Sequence, residues 1–368
     1  MTICVSFGTR PELIKVAPVI RELDRQGVPV ISLFTGQHPE LVAPLLNWFS
    51  ISPDRVIENI KPGTGLSGIL THVLNGADQF FSDTKLKAVL VQGDTTSAFS
   101  VGLAAFHLGF PVHHVEAGLR THNLFRPFPE EANRKLIAQI SSRHYAPTGT
   151  SRENLIREGI SDSIVQVTGN TVVDSLKYTL DKLQDVKPQI SKLLDEKAGT
   201  GNVLVTVHRR ESWGEGLGNV FQSLSELAKR YPDLSFWIPL HPNPKVRESA
   251  PKDFFESSQM HLLDPLEYQD SVYAIAHCDL VITDSGGIQE ERVAIGKHVI
   301  VARSETDRPE GVSAGLAHLC GTDPKKLLDT SIEILNSLQK DSSPTFQNIY
   351  GDGNTSKKIV SDLIASYY

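Results

Sequence analysis

Cysteine is scarce in this chain, and its number is odd. Cys4, Cys278 and Cys320 are the only cysteines among 368 residues, and they are widely spaced. A secreted disulfide scaffold has an even set of closely spaced cysteines, so this pattern argues against one. Because Cys4 and Cys320 lie in apolar, strand-like runs, we expect buried free thiols in a reducing compartment, the cytoplasm.

Long apolar runs and an excess of basic charge are also missing. No stretch approaches about 18 uninterrupted apolar residues, so no membrane-spanning helix is expected. The first residues, MTICVSF, lack the basic region of a signal peptide, and we expect them to form a first strand. The formal net charge of −7 argues against a partner nucleic acid, because nucleic-acid-binding proteins have a basic surface.

Three catalytic signatures are absent as well. No Gly-x-Gly-x-x-Gly follows the first strand, so a bound NAD is not supported. No Gly-x-Ser-x-Gly is present, which argues against a hydrolase triad. No Cys/His spacing fits zinc, and the neighbours His113 and His114 point to opposite faces of a strand. We therefore expect an enzyme that uses neither a metal nor another cofactor.

The chain does contain a regular alternation of apolar runs and amphipathic stretches. The apolar runs are rich in Val, Ile and Leu, which is typical of strands buried on both faces, and helices are predicted between them, for example at 11–26 and 217–230. This alternation indicates an α/β fold with parallel sheets and right-handed crossovers. Strands are predicted at 3–7, 28–34, 88–92, 112–115, 144–146, 165–168, 203–207, 235–240, 261–263, 280–283, 299–302 and 317–319.

A seam between two domains is predicted at 171–201, where a polar helix and a Lys/Glu/Gly-bearing stretch precede a new series of strands. Ligands of such sheets bind at the carboxyl ends of the strands, so the residues after each strand are the candidates for a site. In the first half these include Arg10 and Lys15 after the first strand, Asp94 in GDTTS, and Glu116 in HVEAGLRT. With Glu130 in PFPEEANR, the acids indicate acid/base chemistry.

The second half contains a different kind of strand end. In the segment TDSGGIQEE at 283–291, Ser285 or the Asp before it can cap a helix whose first residues, Gly286 and Gly287, let backbone N–H groups approach a diphosphate. Glu291 follows about two helical turns later, at a distance suited to ribose hydroxyls. A charged loop after a later strand adds Arg308. Together these features predict a sugar-nucleotide site.

These segments, in this order, resemble the non-hydrolysing UDP-N-acetylglucosamine 2-epimerases. The resemblance covers nearly the whole chain and is carried by long motifs: FGTRPELIK at 7–15, GQH at 36–38, GDTTS at 93–97, HVEAGLRT at 114–121, PFPEEANR at 127–134, HRRES at 208–212, HPNP at 241–244, DSGGIQEE at 284–291, DRPEGV at 307–312 and YGDG at 350–353.

The resemblance implies two Rossmann-like domains that face each other across a cleft in the GT-B arrangement. Their expected ranges are 1–171 for a domain with the catalytic acids, 172–354 for a domain that binds UDP, and 355–368 for a helix that crosses back to the first domain. A homodimer is also implied.

The implied reaction is reversible epimerisation of UDP-N-acetylglucosamine to UDP-N-acetylmannosamine, for surface polysaccharide precursors. UDP leaves C1 as the C2 proton is removed, which gives 2-acetamidoglucal, and UDP then adds back with C2 protonated on the other face. By resemblance the catalytic residues are Asp94, Glu116, Glu130 and His208. The implied substrate-binding residues are Arg10, Lys15, Ser285, Gly286, Gly287, Glu291 and Arg308.

Two alternatives stay open at this point. One is a 2-epimerase of a modified substrate such as UDP-2,3-diacetamido-2,3-dideoxyglucuronate, and the other, disfavoured by the three acids, is a GT-B glycosyltransferase. The chain also departs from the family where many bacterial members are activated by substrate at a second site. Pro39 stands in place of Arg in the Gln-His-Arg motif, and Thr64 and Gly65 replace a pair that carries side-chain donors, which predicts that this activation is lost.

Overall fold

The computed structural model describes residues 2–58, 60–61, 63–196, 201–207, 214–240, 248–251, 254–337 and 345–368. Within these ranges the chain alternates between strands and helices. The strands are β1 Thr2–Phe7, β2 Val30–Phe34, β3 Arg55–Val56, β4 Leu86–Gln92, β5 Val112–Val115, β6 Arg143–Ala146, β7 Val165–Val167, β8 Gly201–Thr206, β9 Leu234–Pro239, β10 Met260–Leu263, β11 Leu280–Thr283, β12 Val299–Val301 and β13 Ala317–Leu319.

The helices follow the strands in the order expected of crossover connections. They are α1 Arg10–Arg25, α2 Pro39–Phe49, α3 Leu66–Ser82, α4 Thr96–His107, α5 Glu130–Ile140, α6 Gly149–Arg157, α7 Thr171–Lys182, α8 Gln189–Glu196, α9 Glu215–Arg230, α10 Tyr268–His277, α11 Gly286–Ala294, α12 Pro309–Ser313, α13 Pro324–Ser337 and α14 Thr355–Tyr367, with short 3-10 turns at Asp162–Ile164 and Phe254–Glu256.

Two parallel sheets organise these elements. The first has seven strands in the order β3-β2-β1-β4-β5-β6-β7, and the second has six in the order β10-β9-β8-β11-β12-β13. In each sheet the order runs outward in both directions from a central pair, β1 with β4 and β8 with β11. This is the doubly wound, Rossmann-like topology, and its ligand position lies at the carboxyl ends of the central pair.

The chain divides into two compact units. Unit 1 comprises Met1–Ser175 and Tyr350–Tyr368, and unit 2 comprises Leu176–Ile349. The predicted α/β class, with two parallel sheets and a final helix that returns to the first domain, is confirmed. The functional ranges predicted for the domains, 1–171, 172–354 and 355–368, remain predictions.

Helix α14 is held to unit 1 by polar bonds at its first turn and further along its length. Its first turn is capped by buried Asp174, whose carboxylate accepts hydrogen bonds from the N–H groups of Thr355 and Ser356 at 3.2 and 2.8 Å. Further along, Asp362 accepts bonds from Arg143 Nε on β6 at 3.0 Å and from the Tyr145 hydroxyl at 2.9 Å. These bonds fix the position of the returning helix against the first sheet.

Each sheet is covered by apolar helix faces. In unit 1 residues such as Val89 and Val91 of β4 pack with Val101 and Ala105 of α4. In unit 2 the core joins the strands to α9 and α13, and Phe221 is among its fully buried members. None of the described helices has the length and hydropathy needed to cross a membrane.

Candidate active site

The central strands of unit 1 end in two loops that are tied together by Glu12. Thr9 is the N-cap residue of α1, and the buried Glu12 carboxylate accepts hydrogen bonds from the N–H groups of Gly8 and Thr9 at 2.9 and 2.7 Å. It also accepts a bond of 2.7 Å from the hydroxyl of Thr95, the N-cap of α4. Burial raises the pKa of Glu12, and these hydrogen bonds oppose the rise. The loop that carries Arg10 is therefore fixed to the loop that carries Asp94.

Asp94 follows β4 and is held by α5. Arg134 donates from Nε to Asp94 Oδ2 at 3.0 Å and adds a second bond to the same oxygen from its terminal nitrogen. Asn133 donates to the Asp94 carbonyl at 2.9 Å. Because Asp94 is half-buried while Arg134 is buried, the carboxylate has a fixed cationic partner on one side and an open side.

Glu116 follows β5 and is bound by several donors. Its backbone φ of +66° is uncommon for a residue other than glycine, so its side chain leaves the strand end in an unusual direction. Lys15 forms a buried ion pair with it, and the Gln92 amide donates to its other carboxylate oxygen. Asn170 donates to Glu116 Oε1 at 2.9 Å. Lys15, predicted to line the substrate pocket, is thus placed against Glu116.

Helix α5 carries Glu130, the third candidate acid, and also the residues that hold Asp94 in place. Glu130 is its first residue and is half-buried. The next residue, Glu131, is fully buried and accepts bonds of 3.0 Å from the N–H groups of Thr121 and His122. Glu131 Oε2 also lies 3.4 Å from a terminal nitrogen of Arg134. Glu131 therefore holds both the loop before α5 and the arginine that binds Asp94.

Behind these acids lies a pair of buried histidines. His114 bonds to the Gly93 carbonyl at 2.7 Å, and its ring lies 6.4 Å from that of His144 in an edge-on arrangement. Burial lowers the pKa of His114 to about 4 and that of His144 to about 3. Both rings are therefore neutral at pH 7, and His114 supports the turn that precedes Asp94.

In unit 2 the end of β11 leads into a helix N-terminus. Ser285 is the N-cap of α11, and its own N–H donates to the Thr283 hydroxyl at 3.0 Å. A methyl group added to Gly287 would meet no atom within 4 Å, so this side of the helix end is open. The unsatisfied N–H groups and the dipole of such an end favour an anion.

Arg308 lies over this helix end. A methyl group added to Gly286 would come within 2.6 Å of the Arg308 guanidinium, so glycine is required for that approach. Glu290 Oε1 lies 3.0 Å from Arg308 Nε, and Asp307 accepts a bond of 2.6 Å from its terminal nitrogen. Two buried acids thus hold a cation beside the helix N-terminus.

Glu291 is the remaining predicted residue of this helix. It is buried, and the Tyr268 hydroxyl donates to its Oε1 at 3.2 Å. Tyr268 is the first residue of α10, so this bond connects the start of α10 to the middle of α11.

The structure therefore brings the predicted residues together in two groups. In unit 1, Arg10 and Lys15 of α1 lie with Asp94 and Glu116 at the strand ends, next to Glu130 at the start of α5. In unit 2, Ser285, Gly286, Gly287 and Glu291 belong to α11 or its N-cap, and Arg308 lies beside its start. Arg10, predicted to hold the diphosphate, is therefore in the other unit from the remaining residues predicted for that role. His208 lies outside the described residues. Sequence reasoning missed the residues that hold the acids and the cation in place. They are Glu12, Gln92, Glu131, Arg134, Asn170, Tyr268, Glu290 and Asp307.

Two Rossmann-like sheets, one with ion-paired acids at its strand ends and one followed by an open helix N-terminus, are typical of α/β enzymes that act on nucleotides. The family model for UDP-N-acetylglucosamine 2-epimerase matches residues 21–364. The UDP-N-acetylglucosamine 2-epimerase of Escherichia coli is 39% identical, over 99% of this chain and 98% of that protein. The chain belongs to the UDP-N-acetylglucosamine 2-epimerase family and is an isomerase.

Solved structures of family members agree with this assignment. The UDP-GlcNAc 2-epimerase from Neisseria meningitidis, bound to UDP-GlcNAc, matches with a TM-score of 0.91 at 41% identity, over 99% of this chain and 100% of that chain. The Methanocaldococcus jannaschii enzyme, in complex with UDP-GlcNAc and UDP, matches with a TM-score of 0.86 at 29% identity over 99% and 100%. The described fold is consistent with two Rossmann-like domains of the GT-B type.

Proposed function

We propose that this chain interconverts UDP-N-acetylglucosamine and UDP-N-acetylmannosamine by elimination and re-addition of UDP. The observation that carries the proposal is the pair of acids that follow the neighbouring strands β4 and β5 of unit 1, each with a cationic partner: Asp94 with Arg134, and Glu116 with Lys15. Each cation fixes the position of a carboxylate, and carboxylates are groups that accept and donate protons in catalysis.

The chemistry explains why acids of this kind are needed. C2 of the sugar has no neighbouring carbonyl that would make its proton acidic. A base takes the C2 proton, the electrons of that C–H bond form the C1–C2 double bond, and the C1–O bond breaks as UDP leaves. In the reverse step an acid protonates C2 on the opposite face while UDP returns to C1. Two proton-transfer groups are therefore required, one for each face.

Asp94, Glu116 and Glu130 are the candidates for these two roles. His208, outside the described residues, is proposed to support the leaving group or a proton transfer. Unit 2 is proposed to bind UDP: Ser285, Gly286 and Gly287 offer backbone N–H groups to the diphosphate, Arg308 adds positive charge, and Glu291 accepts from the ribose hydroxyls. Charge that develops on the departing diphosphate is stabilised by such preorganised donors. Arg10 is proposed to contribute to the same binding.

The biological setting is part of the proposal. Three buried free cysteines support a reducing compartment, the cytoplasm. We further propose a homodimer that supplies precursors of surface polysaccharides. Sedimentation velocity of the purified chain would test the dimer directly, and a monomer at micromolar concentration would contradict it.

The reaction itself is tested by NMR in deuterated water. Incubation with UDP-N-acetylglucosamine should give UDP-N-acetylmannosamine, and deuterium should appear at C2 of both sugars because the removed proton exchanges with solvent. The same substrate without protein is the control. Release of free N-acetylmannosamine, or product without deuterium at C2, would contradict elimination and re-addition.

A further inference from the structure

Asn170 lies in the segment that links the first sheet to α7. It follows β7 and precedes the first residue of α7, and it is only 2% exposed. Five residues later the chain passes from unit 1 into unit 2, and it returns to unit 1 at Tyr350. Asn170 is therefore close in sequence to one crossing between the units.

Asn170 takes part in several hydrogen bonds, and three of them reach different parts of unit 1. Its side-chain amide donates to Glu116 Oε1 at 2.9 Å. Its backbone N–H donates to the carbonyl of Tyr350, the residue at which the chain returns, at 2.7 Å. Its side-chain oxygen accepts from the Val172 N–H at 3.0 Å, which caps α7. One residue thus bonds both to the return crossing and to a proposed catalytic acid.

The backbone around Asn170 leaves little room for adjustment. Gly169 has a φ of +98°, and a methyl group on it would lie 3.0 Å from the Gly351 Cα atom. A methyl group on Gly351 would in turn lie 3.4 Å from the Asn170 nitrogen. The segment at Gly169 and Asn170 therefore lies backbone to backbone against the returning segment at Gly351. This contact fixes the backbone from which the Asn170 side chain extends.

Glu116 receives its donors from three directions. Lys15 and Asn170 bond to Oε1, and Gln92 bonds to Oε2. A rotation of the carboxylate group would break all of these bonds together. Among these partners, Asn170 is the neutral donor that comes from the crossing, whereas Lys15 lies on α1 and Gln92 on β4.

We propose that Asn170 is a positioning residue for the epimerisation: it holds the Glu116 carboxylate in its reactive orientation and ties that orientation to the chain crossings. The inference rests on the proposed role of Glu116 in proton transfer. Asn170 acts through Glu116 and needs no contact with the sugar.

Asn170→Ser separates positioning from helix capping. Serine retains a side-chain oxygen that can cap α7, but it has no amide that can donate to Glu116. We expect kcat, and C2 deuterium exchange with it, to fall by about 10²-fold, the order of effect that small misplacements of reacting groups produce. KM and the Kd for UDP should stay within about twofold of the wild type, because Asn170 bonds to none of the residues proposed to bind the diphosphate.

Ser175→Ala is the matched control. Ser175 is also buried and lies on α7, and its hydroxyl donates to the Ile14 carbonyl rather than to an acid. This variant should lose a few degrees in Tm while its kcat stays within about twofold of the wild type. An Asn170→Ser variant with wild-type kcat, or one that loses kcat only as much as Ser175→Ala does, would overturn the inference.

A second measurement is independent of activity. Asn170→Asp places a carboxylate against Glu116, and we expect Tm to fall by about 5 °C because two like charges share a buried site. In a Glu116→Gln background the same change should cost almost nothing, since the new amide donates to the introduced carboxylate. Equal losses in the two backgrounds would show that the residues are not coupled, and would overturn the inference.

The two proposals fail in different ways. If the wild-type chain exchanges no C2 proton, the proposed function is wrong, while the Tm cycle still tests the bond between Asn170 and Glu116. If the wild type epimerises and Asn170→Ser does so equally well, only the positioning role is wrong.

Discussion

The two units share a sheet topology but have opposite charge arrangements at their central strand ends. In unit 1, cations hold acids: Arg134 binds Asp94 and Lys15 binds Glu116. In unit 2, acids hold a cation: Glu290 and Asp307 flank Arg308 beside the start of α11. On the proposed function, the same scaffold presents carboxylates for proton transfer in one unit and positive charge for a diphosphate in the other.

The contrast between the units gives each a separate set of test substitutions. On the proposed function, a substitution at the acids of unit 1 alters the chemical step and leaves nucleotide binding unchanged. A substitution at the start of α11 should do the reverse.

Asp94→Asn should abolish turnover, and of the substitutions considered it should distinguish the role of unit 1 from that of unit 2 most clearly. The amide is similar in shape but cannot accept the C2 proton as a carboxylate does, so kcat should fall by at least about 10³-fold. The Kd for UDP, measured by calorimetry, should remain close to that of the wild type.

The control for this change is Asp83→Asn, which alters an exposed acid in the same unit. It should leave both kcat and UDP affinity unchanged. If Asp94→Asn lost UDP binding, the assignment of chemistry to unit 1 and binding to unit 2 would be wrong.

The stability of unit 1 should depend on pH through its buried histidines. Burial lowers the pKa of His114 in the folded state to about 4, whereas an unfolded histidine titrates near 6.5. Between these values the unfolded chain binds more protons, so stability is complete above about pH 6.5 and is lost as pH falls toward 4. The contribution of His114 is on the order of 3 kcal/mol.

Urea unfolding between pH 7.5 and 4.5 would measure this loss. A His114→Asn variant should show a weaker dependence of the urea midpoint on pH, and His107→Asn, at an exposed position of the same unit, should retain the wild-type dependence. An unchanged dependence in His114→Asn would contradict the prediction.

Gly287→Ala tests whether unit 2 binds the diphosphate at the start of α11. Alanine meets no atom in the free protein and favours a helix, so stability should rise by up to about 1 kcal/mol. The same methyl group would obstruct a diphosphate at the helix end, and the Kd for UDP should rise by about tenfold, which is about 1.4 kcal/mol.

Gly286→Ala is the comparison variant for this experiment. Its methyl group would lie 2.6 Å from Arg308, so it should weaken UDP binding and also reduce stability. If Gly287→Ala bound UDP as tightly as the wild type, the start of α11 would not be the diphosphate site.

A smaller effect is expected for activation by substrate at a second site. Pro39 is the first residue of α2, and Gly65 is the N-cap of α3, so neither offers a side-chain donor to a second substrate molecule. UDP-N-acetylmannosamine should therefore react alone without a lag, and traces of UDP-N-acetylglucosamine should change the initial rate less than about twofold. A lag that the added substrate removes would contradict this prediction.

Much of the fold could be predicted because the pattern of apolar residues marks the buried strands. The predicted strands at 112–115, 280–283 and 317–319 coincide with β5, β11 and β13, and most of the others differ by one or two residues. β3 was missed because its two residues, Arg55 and Val56, are exposed and have no apolar run to mark them.

The site was predicted less completely, for a physical reason. A strand end is visible in the sequence, so Asp94 and Glu116 could be proposed from their position alone. Their partners come from distant segments: Asn170 is 54 positions from Glu116, and Arg134 is 40 from Asp94. Such pairs depend on how the crossovers fold back, and no local pattern in one sequence indicates them.

The return of α14 to the first sheet has a consequence for synthesis on the ribosome. Unit 2 is one uninterrupted stretch, Leu176–Ile349, and can fold as soon as it has emerged. Unit 1 emerges first, yet Arg143, Tyr145 and His113 must wait for the partners that α14 brings, Asp362 and Tyr367. We therefore expect the first half of the chain to complete its structure last, after the second unit has already formed.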